Sequence, residues 1–275
     1  MKKKCKSYKD ASPKDNIPAG PLNEICIHPK NSNMNQYNKG TPNCNAVRML
    51  LLNFRQEVRV HQAATLIFGP SNFNDPEDKA SSPQEADFRL VIISEDLTWF
   101  RLVRPGFVTG GAYSVTLIFP FEGNYILFAD FRSKRHPSIT DKLKLYVKGA
   151  LPPKSEGMME KLVFSSGDLQ MKIITEQAFR TETQNKIAVT IRKNGVPLRA
   201  TDLTSCLGAM AHIILVRRND KSFQHLHSEA DENYPVIGRI LFSRPGIYRM
   251  WIQFQTGNQL YTADFTLNVA ESNAQ

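Results

Sequence analysis

Three histidines have a spacing that permits metal chemistry: His212, His225 and His227. Between them runs Arg217-Arg218-Asn219-Asp220, and Asn-Asp favours a two-residue hairpin loop. With Asn219-Asp220 at the turn, His212 lies opposite His227 and Ile214 opposite His225. Strand side chains alternate between faces, so all three imidazoles share one face. Directly opposed Cβ atoms lie about 4.5–5.5 Å apart, close enough for the rings to meet at one ion. Imidazole nitrogens in that number suit copper or zinc, and Met210 offers a soft thioether nearby. Paired histidines on a strand also serve as half-buried packing residues with satisfied hydrogen bonds. Both readings stand on the sequence.

Such a hairpin needs a scaffold, and the rest of the chain describes one. Short apolar runs rich in Val, Ile, Phe and Thr alternate with turn residues from Val47 onward, among them Ala63–Phe68, Phe88–Ser94, Tyr113–Phe119 and Tyr125–Phe131. The segment Gly149-Ala-Leu-Pro152-Pro153-Lys-Ser-Glu-Gly157 interrupts the rhythm as an interdomain linker, and the rhythm then resumes to Val269. The pattern predicts an all-β chain of two tandem immunoglobulin-like antiparallel β-sandwiches. Their expected bounds are 46–149 and 159–275, joined by a linker at 150–158. Residues 1–45, dominated by Lys, Asn, Pro and Ser, are expected to form a disordered polar tail.

The two halves repeat each other. A shift of 123 residues lays Phe119-x3-Gly123-x-Tyr125-x5-Phe131 on Phe242-x3-Gly246-x-Tyr248-x5-Phe254 without a gap. Leu90-Val91-Ile92-Ile93 falls on Ile213-Ile214-Leu215-Val216 in the same frame. Each Gly-x-Tyr suits the tyrosine corner of such sandwiches, where the phenol returns to the backbone. The same shift sets Arg89, Leu102 and Arg104 against His212, His225 and His227. The first copy therefore lacks the ligand set, and Arg89, Arg101 and Arg104 read as solubilising charges. Glu229, Asp231 and Glu232 follow the His pair as a solvated loop, with carboxylates that could orient the imidazoles from outside.

The remaining composition narrows the function. The chain of 275 residues carries a formal charge of +9, but six Lys against one Asp in residues 1–14 account for +5 of it. A nucleic-acid binder concentrates charge on a folded face, so nucleic acid is not the expected partner. No apolar stretch is long enough for a membrane helix. The start Met1-Lys-Lys-Lys-Cys5 lacks a following apolar core, yet a Cys before a polar stretch suits a lipoprotein tether to a membrane. Cys26 and Cys44 flank a polar loop, a spacing compatible with a disulfide in an oxidising compartment. Nucleophile-elbow, phosphate-loop, zinc-protease and dinucleotide motifs are missing, so no enzyme is expected.

The second half resembles a known family. Leu207-Gly208-Ala209-Met210-Ala211-His212, His225-Leu-His227, Pro245-Gly246-Ile-Tyr248-Arg249, Gln255-Thr256-Gly257 and Thr262-Ala-Asp-Phe265 look like bacterial extracytoplasmic sandwich proteins of the YtkA-like, heavy-metal-associated kind. The resemblance extends from Val47 to Val269. It implies an exported, non-enzymatic protein that is periplasmic or membrane-anchored and holds a transition metal, copper or zinc, on its second domain. Ser228 stands where that pattern has Pro. The first repeat carries Arg89, Leu102 and Arg104-Pro105 where the pattern has histidines, so part of an ancestral ligand function is absent. The competing class is a structural or protein-interaction module in which the histidines only pack.

Overall fold

In the computed structural model, residues 48–71, 87–108, 111–132, 139–151 and 158–272 are described. The expected tail, the Cys26–Cys44 pair and the Pro152-Pro153 linker lie outside them. The first half forms β1 (Met49–Leu51), β2 (Val58–Arg59), β3 (Ala63–Pro70), β4 (Asp87–Ser94), β5 (Phe100–Val103), β6 (Gly106–Phe107), β7 (Tyr113–Ile118), β8 (Gly123–Arg132) and β9 (Ile139–Lys148). The second half forms β10 (Val163–Ser166), β11 (Leu169–Ile174), β12 (Gln184–Lys193), β13 (Val196–Pro197), β14 (Leu203–Thr204), β15 (Ala211–Arg217), β16 (Phe223–His227), β17 (Val236–Leu241), β18 (Gly246–Thr256) and β19 (Gln259–Val269). The only described helix is one 3-10 turn, Ala200–Asp202.

Each half is a two-sheet sandwich. Sheet β1-β3-β7-β6 faces sheet β2-β9-β8-β4-β5 in the first, and no sheet runs from one half into the other. In the second half, β10-β11-β12-β13 with β17 faces β14-β18-β15-β16 with β19. Pairing is antiparallel with one departure among the named strands, since the two-residue β2 runs parallel to β9. The chain makes that contact between β1 and β3, both of which belong to the other layer.

The repeat is visible in the register. Phe88 pairs with Phe131 and Ala211 with Phe254, while Leu90 pairs with Val103 and Ile213 with Leu226. Each pair becomes the other under the shift of 123 residues. The frame slips by one at the last hairpin, where Gly123 pairs with Val147 but Gly246 with Val269. Tyr125 Oη donates to the Phe121 carbonyl at 2.9 Å and Tyr248 Oη to the Arg244 carbonyl at 2.8 Å. Gly123 and Gly246 open these corners at φ +139° and +128°, backbone that L side chains rarely adopt.

Three apolar clusters hold the molecule together. One lies inside each sandwich, around Phe88, Phe119 and Tyr125 in the first and Phe242, Phe254 and Phe265 in the second. The third joins them, with Val91, Ile93, Phe100, Leu102 and Phe128 packed against Ile214, Val216 and Trp251. Val47–Gln275 accordingly forms one compact unit. This seam explains why β4 and β15 are apolar at consecutive positions. Leu90 and Ile92 point into their own sandwich while Val91 and Ile93 point into the seam, so both faces are buried.

Candidate metal centre

The register of β15 with β16 brings the histidines together. His212 pairs with His227 and Ile214 with His225, as the sequence implies. The loop is longer than expected. Arg217 N–H donates to the Ser222 carbonyl and Lys221 N–H to the Arg217 carbonyl, so four residues span the turn. Lys221 takes the left-handed conformation (φ 55°) that closes it. Asn219 and Asp220 therefore sit inside a four-residue loop closed by Lys221 rather than forming a two-residue turn. The Asp220 side chain also caps the Ser222 N–H at 3.1 Å.

Ring centroids lie 5.2 Å apart for His212 and His225, 5.5 Å for His212 and His227, and 5.2 Å for His225 and His227. One ligand-capable nitrogen from each ring lies within 4.8 Å of the others. Their shared face is the one turned towards the first sandwich, because Ile214 and Val216 on that face of β15 belong to the seam. Met210 turns elsewhere and packs against the interior cluster of the second sandwich.

The hydrogen bonds assign the ring nitrogens. His212 is buried, and its Nε2 lies 3.0 Å from the Cys206 carbonyl, which only accepts. Nε2 therefore carries the proton and Nδ1 is bare. That Nδ1 faces His225 Nε2 at 3.0 Å. His225 Nδ1 lies 3.2 Å from Asp130 Oδ2, and a carboxylate there fixes the proton on Nδ1. Arg89 Nη1 donates to His227 Nε2 at 3.1 Å. Burial pushes the His212 pKa from 6.5 down to about 4, against the pull of the Cys206 carbonyl. Burial and then the Arg89 guanidinium lower that of His227.

Two residues of this site come from the first sandwich. Asp130 on β8 takes the orienting role that the sequence offered to Glu229, Asp231 and Glu232. Glu229 instead pairs with Arg239 at 3.1 Å, and Asp231 caps the Asn233 and Tyr234 amides at 2.9 and 2.8 Å. Arg89 is not a solubilising charge, for its side chain is only 12% exposed and bridges Asp87 and His227. Arg101 lies over Trp99 at 5.7 Å and Arg104 near Asp87 at 3.8 Å. Asp130 and Arg89 left one signal in the sequence. A strand apolar at consecutive positions must be covered on both faces, and its remaining polar residues on the covered face then meet a partner domain.

The donor set fits a borderline ion. With one proton on each ring, His212 Nδ1 and His225 Nε2 present two bare lone pairs to each other, which a cation between them relieves. Zinc and copper accept neutral imidazoles at about 2.0–2.1 Å, and the Asp130–His225 contact supplies the carboxylate–imidazole relay common in such sites. Arg89 opposes a cation on electrostatic grounds and occupies the His227 Nε2 lone pair, so His227 joins the ion by giving up that hydrogen bond, while Asp87 holds the other guanidinium nitrogen.

Strand order, tyrosine corners and paired cores define the class: a tandem immunoglobulin-like β-sandwich protein. A family model described as a domain of unknown function (DUF8832) matches residues 165–271, most of the second sandwich. No curated protein matches the sequence. Among solved structures, the chain is similar to the Clostridium thermocellum CbhA fibronectin(III)-like modules at 10% identity, covering 82% of this chain and 95% of that one, with a TM-score of 0.23. A putative membrane anchored protein from Corynebacterium diphtheriae matches at 11% identity, 82% and 57% coverage and a TM-score of 0.26. The chicken CNTN1 FN1-FN3 domains match at 11% identity, 77% and 65% coverage and a TM-score of 0.24. The chain thus spans less than two thirds of these last two. At such scores the likeness adds nothing to the topology above. No described helix is long and apolar enough to cross a membrane.

Proposed function

We propose that this protein is a non-enzymatic, extracytoplasmic binding protein that holds a transition metal, copper or zinc, on His212, His225 and His227. The observation that carries the reading is the convergence of three ring nitrogens within 4.8 Å, with His225 oriented by Asp130. The ion sits at the rim of the seam, where His212 is buried and His227 is exposed to solvent. Export and an N-terminal membrane tether rest on the family resemblance alone. The test is elemental analysis and calorimetric titration of the full chain, purified without a histidine tag, with Zn²⁺ and Cu²⁺. The full chain is required because Asp130 and Arg89 belong to the first sandwich. Stoichiometric uptake lost in His225→Ala supports the reading, and heat equal to that of the triple alanine variant ends it.

A second reading has its own observation. If His225 carries both protons, it donates to His212 Nδ1 and to Asp130, and Arg89 satisfies His227. Every contact is then met without an ion. The histidines become a polar latch between sandwiches, and the protein is an interaction module presenting its loops and edges to a protein partner. Failure to take up metal, with His225→Ala weakening the contact between the halves, selects this reading.

A further inference from the structure

A cavity of about 720 Å³ opens along the seam beside the histidine hairpin. Its walls carry five cationic side chains, Arg89, Arg132, Lys142, Lys221 and Arg239, against three carboxylates, Asp130, Asp220 and Glu229. Those carboxylates are already engaged. Asp130 faces His225, Glu229 pairs with Arg239, and Asp220 pairs with Arg217 and Arg244, which stand outside the cavity wall. Arg89 is held by Asp87.

Lys142 and Lys221 are different. Neither has a carboxylate within ion-pair distance among the described residues. Lys142, from the first sandwich, reaches the Asp220 carbonyl at 3.3 Å, and Lys221, from the second, donates to the Arg218 carbonyl. Partial burial is the main cause that lowers both ammonium pKa values, and Lys221 adds to the effect on Lys142, against the pull of Asp220 and Glu95. Two ammonium groups from opposite sandwiches thus lie near each other, each bonded to a backbone carbonyl, with Glu95 and Asp220 acting on both from beyond ion-pair distance. Behind them Phe128 and Phe223, stacked at 4.3 Å, line the cavity with apolar surface that strengthens any ionic contact made above it.

We infer that this cavity binds a compact polyanion bearing phosphate or carboxylate groups, gripped between Lys142 and Lys221 with Arg132 on the wall. The inference does not depend on the metal reading, since the lysines act on the anion directly. It is tested by calorimetry of the metal-free full chain with inorganic pyrophosphate and, separately, with citrate. Binding of at least one probe is expected, weakening as salt rises. The double variant Lys142→Met and Lys221→Met should lose at least about tenfold in affinity, as expected when two charge-assisted contacts go. Lys172→Met, on the exposed face of β11, should change nothing. Tighter pyrophosphate binding assigns phosphate chemistry, and tighter citrate binding assigns carboxylate chemistry. If circular dichroism shows the double variant unfolded, Lys142→Met alone must still weaken binding severalfold. No heat with either probe, an unchanged affinity in the lysine variants, or an equal loss in Lys172→Met overturns the inference.

Discussion

Phe100 stacks on Trp251 across the seam, with ring centroids 4.9 Å apart and planes 11° from parallel. Moving each residue by the repeat of 123 turns that pair into Phe223 on Phe128, which stack at 4.3 Å and 15°. The two sandwiches therefore meet through the same face of each copy, as the subunits of an isologous dimer do. One chain supplies both halves, which frees the equivalent positions to diverge. Arg89 and His212 occupy matching sites on the two copies, one a permanent cation and the other a neutral ring. The asymmetric site lies beside a symmetric contact.

The stack should carry much of the coupling between halves. Trp251→Ala leaves a cavity against Phe100, Ile214 and Val216, and removal of a buried aromatic costs about 3–5 kcal/mol. Urea denaturation followed by circular dichroism should show a lower midpoint and a transition that separates into two steps. A single unshifted transition would mean that the seam contributes little.

The tyrosine corners predict a smaller and symmetric effect. Tyr125→Phe and Tyr248→Phe each remove one hydrogen bond to a backbone carbonyl while keeping the ring. Each should lower stability by about 1 kcal/mol, and the double variant by about twice that, because the two corners lie in separate cores. Denaturant midpoints of the three variants check both the size and the additivity.

Much of this fold was legible because strand chemistry is local. Alternating runs, Gly-x-Tyr corners and the repeat of Phe119 through Phe131 located the strands and the pairing of His212 with His227. Asp130 and Arg89 escaped because their role is set by the contact between sandwiches, which no local pattern encodes. The consecutive apolar residues Leu90-Val91-Ile92-Ile93 held the clue that both faces are covered, but not what covers them. The turn at Asn219-Asp220 was legible in place and not in length, since Lys221 adopts positive φ without being Gly or Asn.

Acid should destabilise the metal-free protein through His212. The folded protein keeps this ring neutral down to about pH 4, whereas the unfolded chain protonates it below its ordinary value of 6.5. The unfolded state therefore binds more protons between these limits, and stability falls as pH drops through that window. The shift corresponds to about 3 kcal/mol, fully present above the upper limit and lost below the lower one. In His212→Asn the difference in unfolding free energy between pH 7 and pH 4 should shrink by that order. An unchanged difference would show that the ring already accepts a proton in the folded state.

The two first-sandwich residues should move metal affinity in opposite directions. Asp130→Asn keeps the shape but withdraws the charge that holds the His225 proton on Nδ1, and loss of such an orienting carboxylate costs about 10–100-fold in affinity. Arg89→Ala removes a positive charge in contact with His227. At an effective permittivity near 20, a unit charge at contact distance opposes a cation by roughly 4 kcal/mol, but Asp87 offsets most of it, so tightening of about tenfold is expected. The change must be read in Arg89→Ala rather than Arg89→Lys, since a lysine retains the repulsion. Titration of the full-length variants with Zn²⁺ gives both numbers. Opposite signs place the ion among the three rings beside the seam, whereas two variants that titrate like the parent would place any bound metal elsewhere on the chain.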